Sequence, residues 1–331
     1  MIGIDSITTS PKIFHTSSSI TFRDHWDHFL ARIGWKRGEH RLEPGLYALG
    51  NPTPDSPVFV TANYSLSFDA LRSSLKGLDG YILVLDTQGI NVWCAAGKST
   101  FSSDEIVNRV MSTGLSDLVH HRKLILPQLG APGVAAHKVK QRTGFWVEYG
   151  PVRAMDLPKY LASRQATPEM RRVEFSLRDR LVLIPVDLTN AFLPTLVAGV
   201  VFYFLGGWVS ALAAVVTALT GVALFPIFLP WLPTHNFSTK GFILGVLAAI
   251  PFALTVFFRH PGWSWWRQIG QVLEFLLVMP AVTAFLALNF TGSTPFTSRS
   301  GVKLEISTFI PVIAWTCGIG LLLGVAVLFI R

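Results

Sequence analysis

Cysteine is nearly absent from this chain: Cys94 and Cys317 are the only two in 331 residues. One lies in a polar region and the other in a long apolar run, so a disulfide between them is not expected. Two thiols are too few for an iron–sulfur cluster, which normally takes about four. No CxxC pair of the zinc-binding kind exists either. A low-potential electron, if the protein uses one, is expected to come from another protein. The first 30 residues lack the apolar core of a cleavable signal peptide. No long basic run with interleaved aromatics is present, so nucleic acid is not an expected partner.

Charge is scarce in one half only. Residues 181–331 hold 6 of the 28 Lys and Arg and 3 of the 20 Asp and Glu, too few for a surface facing water. That half reads as an all-α transmembrane domain of about five helices, with spans at about 181–205, 208–232, 241–258, 269–289 and 308–330. Each is near the roughly 20 residues that cross about 30 Å of hydrocarbon. Pro and Gly inside them are tolerated in membrane helices. Arg171, Arg172, Arg178 and Arg180 gather just before the first span and read as a cytoplasmic flank on anionic lipid. With Lys240, Arg299 and Lys303 on the same side, positive charge places the soluble domain in the cytoplasm and the protein in the cytoplasmic (inner) membrane, multi-pass. Trp263, Trp265 and Trp266 read as an interfacial belt.

From Pro57 onward the soluble part alternates strand and helix signals. Val58–Tyr64, Tyr81–Asp86, Lys123–Pro127 and Phe145–Tyr149 read as strands, and Ile90–Trp93 as a short one. Helices are expected at Ser67–Lys76, Val134–Thr143 and Leu157–Ser163. A further helix starts at Ser102, where Ser102 and Glu105 form a capping box. Such alternation implies an α/β domain with a parallel sheet, whose ligands bind beyond the carboxyl ends of the strands. Those ends are residues 61–65, 87–98, 127–133 and 149–153. The expected organisation is an N-terminal extension over 1–56 packing on the soluble domain, with a helix at 24–33. The α/β domain follows over 57–165, then a basic linker over 166–180 and the membrane domain over 181–331.

The informative stretch is Asn91-Val92-Trp93-Cys94-Ala95-Ala96-Gly97-Lys98. It begins at a strand end and sets one thiol beside three small residues, so backbone can approach something large and flat. A buried structural cysteine is the competing reading. A P-loop is excluded, because Val92 stands where the first glycine of that motif is required.

The run NVWCAAGK resembles the signature of the corrinoid protein of microbial mercury methylation, a membrane-bound relative of the corrinoid iron–sulfur protein of acetyl-CoA synthesis. The likeness extends through VFVTANY at Val58–Tyr64, HRKLILPQLGAPGVAAHKVK at His121–Lys140 and YGPVRA at Tyr149–Ala154. Ser99 and Ser102 stand where that family usually has Gly or Ala and often Gly. The resemblance implies a Rossmann-like cobalamin-binding domain with base-off cobalamin, Cys94 being the ligand of the corrin cobalt. It also implies cofactor contacts from Thr61, Asn63, Asn91, Val92, Trp93, Ala95, Ala96, Gly97, Lys98, Gln128, Leu129, Gly130, Ala131 and Gly133. The activity implied is transfer of a methyl group from methylcobalamin to mercury(II). A ferredoxin-like iron–sulfur protein is the implied reductant, and a methyl-pterin or its methyltransferase the implied donor. A methyl carrier of one-carbon metabolism and a non-catalytic membrane corrinoid-binding protein are the alternatives.

Other residues read more plainly. His25 and His28 share a helix face taken as solvated, and His120-His121 leads into a strand. Asp187 and Glu274 fall within spans, where ionisable groups are functional candidates. Cys317 reads as a packing residue.

Overall fold

The computed structural model describes residues 12–294 and 298–329, which divide into two compact units near residue 173. The first unit is built on a six-stranded sheet: β1 (Ile13–Thr16), β2 (Gly45–Leu49), β3 (Val58–Ala62), β4 (Gly80–Leu85), β5 (Lys123–Leu126) and β6 (Trp146–Tyr149). Its helices are α1 (Phe22–Arg32), α2 (Ser65–Ser74), α3 (Val92–Gly97), α4 (Ser103–Ser112), α5 (Leu115–Leu118), α6 (Ala136–Thr143) and α7 (Leu157–Ser163).

The spatial order is β1-β2-β4-β3-β5-β6. All neighbours run parallel except β2, which pairs antiparallel with β4 through Tyr47↔Ile82. The sheet is therefore mixed, where the alternation predicts a parallel one. The residues before 57 are not an extension laid on it: they supply β1 and β2, and every residue of β2 is buried.

Both sheet faces are dry, which is why the central strands are continuous apolar runs. Val60, Ala62, Leu83, Leu85, Leu124 and Leu126 face a core closed by Ile106 and Val110 of α4 and Val139 of α6. Phe59, Ile82, Val84 and Ile125 face the opposite core, closed by Phe68 and Leu71 of α2 and by Leu157 and Tyr160 of α7. The chain thus winds from β3 to β4 over one face, and from β4 on to β5 and β6 over the other. The order reverses between β3 and β5. A reversal of that kind splays the adjoining loops apart and leaves a crevice at the carboxyl ends of the strands.

Among its described residues the second unit holds four apolar helical stretches long enough to cross a membrane: Leu177–Phe228, Phe237–Arg259, Trp265–Phe290 and Ser300–Phe329. The first has 52 residues, which at about 1.5 Å per residue far exceeds one bilayer. It is a hairpin. Gly207 breaks it with φ 75° and ψ −170°, a conformation that only glycine adopts freely. Its two ends meet where Arg180 Nη1 donates to the carbonyls of Pro226 and Ile227 at 2.8 and 2.6 Å. Arg180 is 5% exposed; it satisfies the carbonyls at a helix end rather than facing lipid, as the basic flank had predicted.

Glycine lets the remaining helices approach closely, as is common in membranes. A Cβ at Gly241 would lie 2.6 Å from Ala284 Cα, and one at Gly245 would lie 2.5 Å from Pro280 Cα. Glu305, just before the expected fifth span, is buried and accepts the backbone N–H and hydroxyl of Ser238 at 2.7 and 2.9 Å. That carboxylate satisfies donors in the first turn of the helix beginning at Phe237, where the backbone has none.

Candidate functional site at the sheet crevice

A cavity of about 290 Å3 occupies the crevice between β3 and β5. Its walls include Thr61 of β3, Ser67 of α2, Asn91, Val92 and Trp93 at the start of α3, Pro127 and Leu129 after β5, and Pro151 after β6. These are the carboxyl ends picked out by the sequence. Of the expected cofactor residues, Thr61, Asn91, Val92, Trp93 and Leu129 line it. Cys94 follows Trp93 directly and is half-buried.

Residues 90–93 are not a strand. Asn91 is extended at φ −62° and ψ 158° and caps α3, its side-chain carbonyl accepting the Cys94 N–H at 2.9 Å. Asn is a favoured cap because its short side chain reaches an orphan donor of the first turn. The cap therefore holds the backbone of Cys94, whose thiolate would be a soft metal donor. Ala95 and Ala96 are buried behind it. Lys98 is exposed and ends the helix. Ser99 follows at φ +64°, the left-handed region that disfavours side chains.

Asn63 is held differently from a ligand contact. It is 1% exposed, and its carbonyl accepts Thr87 N, Thr87 Oγ1 and Gly89 N at 3.0, 2.9 and 3.0 Å. Its amide donates to Asp86 Oδ1 at 3.2 Å and to Leu42 O at 3.4 Å. The side-chain carbonyl and one amide hydrogen bond thus set the 86–90 loop that delivers Asn91, and the other amide hydrogen bond ties it to Leu42. Nothing local in the sequence marks that role, since the partners lie 21 to 26 residues away.

The turn over residues 128–133 is a short 3-10 helix whose glycines serve packing. A Cβ at Gly130 would come within 2.5 Å of the Phe101 ring, and one at Gly133 within 2.1 Å of Phe101 O and 3.0 Å of Ala96 Cα. This turn therefore presses on α3 and the loop after it. Gln128 Oε1 accepts from Arg171 Nη1 at 3.0 Å. The expected capping box at α4 is half made. Ser102 Oγ accepts Glu105 N at 3.3 Å, but the Glu105 carboxylate instead accepts Asp86 N at 2.9 Å and pairs with Arg109. It ties α4 to the same loop.

His28 lies on no solvated face: its Nε2 is 2.7 Å from Asp69 of α2. In the second unit, Asp187 and Glu274 both line a cavity of about 510 Å3, together with Asn190, Ser210, Thr217 and Asn289. Among the described residues, no group of three or more His, Cys, Asp or Glu could hold a metal ion.

Residues 37–161 match the family described as CO dehydrogenase/acetyl-CoA synthase delta subunit. The chain is 34% identical over 114 residues to the acetyl-CoA decarbonylase/synthase complex subunit gamma of Archaeoglobus fulgidus, covering 34% of this chain and 24% of that one. It is 32% identical over 127 residues to the subunit of the same name in Methanopyrus kandleri, covering 38% and 27%. To the corrinoid/iron-sulfur protein large subunit of Moorella thermoacetica it is 26% identical over 153 residues, covering 44% and 34%. The chain thus spans between a quarter and a third of the length of these relatives.

Proposed function

We propose that this protein is a membrane-anchored corrinoid methyltransferase that binds base-off cobalamin at the sheet crevice, with Cys94 as the cobalt ligand, and gives a methyl group to mercury(II). The observation that carries the reading is a lone, half-buried thiol in the capped first turn of α3, at the point where strand order reverses. The residues present suit the group. A thiolate is a soft, strongly donating ligand. Gly97 adds no side chain beside it, and the neighbouring crevice has room for part of an amphiphilic tail.

When bound, the corrin supplies the cobalt chemistry of methyl uptake and release. The chain's own work is orientation. Asn91 fixes the Cys94 backbone, Asn63 and Glu105 fix the loop before it, and the glycine turn at 128–133 braces α3 from behind. As ligand, the Cys94 thiolate would hold the cobalt and enrich it in electron density, which would favour giving the methyl group to a soft electrophile. Mercury(II), a soft electrophile, is a fitting acceptor. The choice of mercury rests on the resemblance of the NVWCAAGK run. A ferredoxin-like protein serves as reductant and a methyl-pterin as donor. The 177–228 hairpin and three further helices are read as five membrane crossings, with the soluble unit in the cytoplasm.

A methyl carrier of one-carbon metabolism is the second reading, favoured by the acetyl-CoA complex subunits among the relatives. Membranes carrying the full chain, supplied with methyl donor, ferredoxin and a low-potential reductant, decide between them. Methylmercury formation that is lost in Cys94→Ala supports the proposal. A corrinoid that turns over its methyl group without yielding methylmercury supports the carrier.

A further inference from the structure

Helix α1 buries Ala31 but carries its Phe and Trp residues on the outside. Phe22, Trp26 and Phe29 fall at i, i+4 and i+7, so they form one stripe. They are 83%, 53% and 51% exposed, and the Trp26 and Phe29 rings stack at 5.5 Å. Trp35, just past the helix, is 59% exposed. A contiguous aromatic patch of this kind on a water-facing domain marks an interaction site.

The charges on α1 are sorted around this stripe. Its acids turn inward: Asp24 meets Arg72 at 2.8 Å, and Asp27 meets His40 at 2.7 Å. Its bases stay outside, with Arg23, Arg32, Lys36 and Arg37 all exposed. The exposed acid Glu39 pairs with Lys36 at 3.1 Å. The helix is also rigidly made. Thr21 and Asp24 cap each other reciprocally, with Thr21 N donating to Asp24 Oδ2 at 2.8 Å and Asp24 N to Thr21 Oγ1 at 3.3 Å.

We infer that the outer face of α1 lies in the headgroup region of an anionic lipid bilayer. Exposed Phe and Trp flanked by Arg and Lys is the chemistry of an interfacial helix: the rings enter the boundary between headgroups and acyl chains while the bases meet lipid phosphates. A protein partner would need the same patch to find matching carboxylates. A membrane needs only to be near, and the chain itself continues into apolar helices of bilayer length. The inference rests on reading the second unit as membrane-spanning, which reconstitution reports independently.

The test uses the full chain in nanodiscs with the photoreactive residue benzoylphenylalanine in place of Trp26 or, as control, of Trp146 at the β6 edge, which is 57% exposed. One set of discs contains phosphatidylglycerol and the other phosphatidylcholine alone. Mass spectrometry is expected to find lipid adducts at position 26 and none at 146. Yield at position 26 should fall several-fold in the neutral discs. No lipid adduct at 26 in discs that incorporate the chain and retain slow hydrogen exchange in β3 and β4 would overturn the inference. So would cross-linking to a second chain, and equal yield in both lipids would overturn the anionic assignment. Failure of the chain to enter discs at all would instead strike the membrane reading beneath it.

Discussion

The side-chain carbonyl of Asn91 accepts the backbone N–H of Cys94 at 2.9 Å, so the residue that caps α3 also fixes the proposed metal ligand. Replacing such a cap by alanine costs about 1 kcal/mol. Asn91→Ala should therefore lower the unfolding free energy by about that amount and speed hydrogen exchange at the Cys94 amide. Asn91→Asp or Asn91→Ser, which keep an acceptor oxygen, should restore most of both.

Ser99 sits two residues past the end of α3 at φ +64°, where a side chain costs roughly 1 kcal/mol and glycine almost nothing. Ser99→Gly is expected to raise the thermal midpoint of the purified chain by a few degrees, and Ser99→Val to lower it by more. A neutral Ser99→Gly would mean that the loop relaxes around the serine.

His40 is 6% exposed and has an acceptor at each ring nitrogen: Asp27 Oδ1 on Nδ1 and the Trp35 carbonyl on Nε2, both at 2.7 Å. Only the imidazolium can donate to both. Burial opposes that charge, but the bonds to Asp27 and to the Trp35 carbonyl outweigh it, with Glu39 adding to the field, and raise the His40 pKa above 6.5. The stability this contributes is full below about pH 6.5, the unfolded value. It is lost as pH rises through the higher folded value. Melting curves across pH 6 to 9 should show a decline that His40→Gln flattens.

The hairpin at Gly207 makes topology testable. If the 177–228 stretch crosses twice and each later helix once, the crossings number five and the C-terminus lies opposite the soluble unit. A C-terminal alkaline phosphatase fusion should then be active and a C-terminal green fluorescent protein dark. The reverse pattern would require an even number of crossings.

Much of this arrangement is legible in the residues, and what is not has a physical reason. The runs VFVTA, YILVL and KLIL announce themselves because both sheet faces are dry. Gly206-Gly207 separates two apolar stretches in the sequence, and the backbone leaves helical geometry at Gly207. β1 and β2 escape because IFHT and GLYAL are short and lie among Pro, Gly and Ser, and because antiparallel pairing with β4 joins residues some 30 to 40 apart. The start of α3 falls in the expected strand Ile90–Trp93 because six residues are too few to show helical periodicity, although Asn91 before an apolar turn is a cap signal. The part played by Asn63 is invisible in sequence, since its five hydrogen bonds reach residues distant along the chain. Asp187 and Glu274 were picked out singly; the cavity they share depends on how the helices pack.

The absorption spectrum of the full chain purified with its corrinoid tests the proposed ligation of cobalt by Cys94 without reference to any acceptor. The wild-type spectrum should be that of base-off cobalamin carrying a sulfur donor, and Cys94→Ala should shift its bands while leaving the slow hydrogen exchange of β3 and β4 unchanged. Identical cobalt spectra from wild type and Cys94→Ala, both loaded with corrinoid, would contradict it.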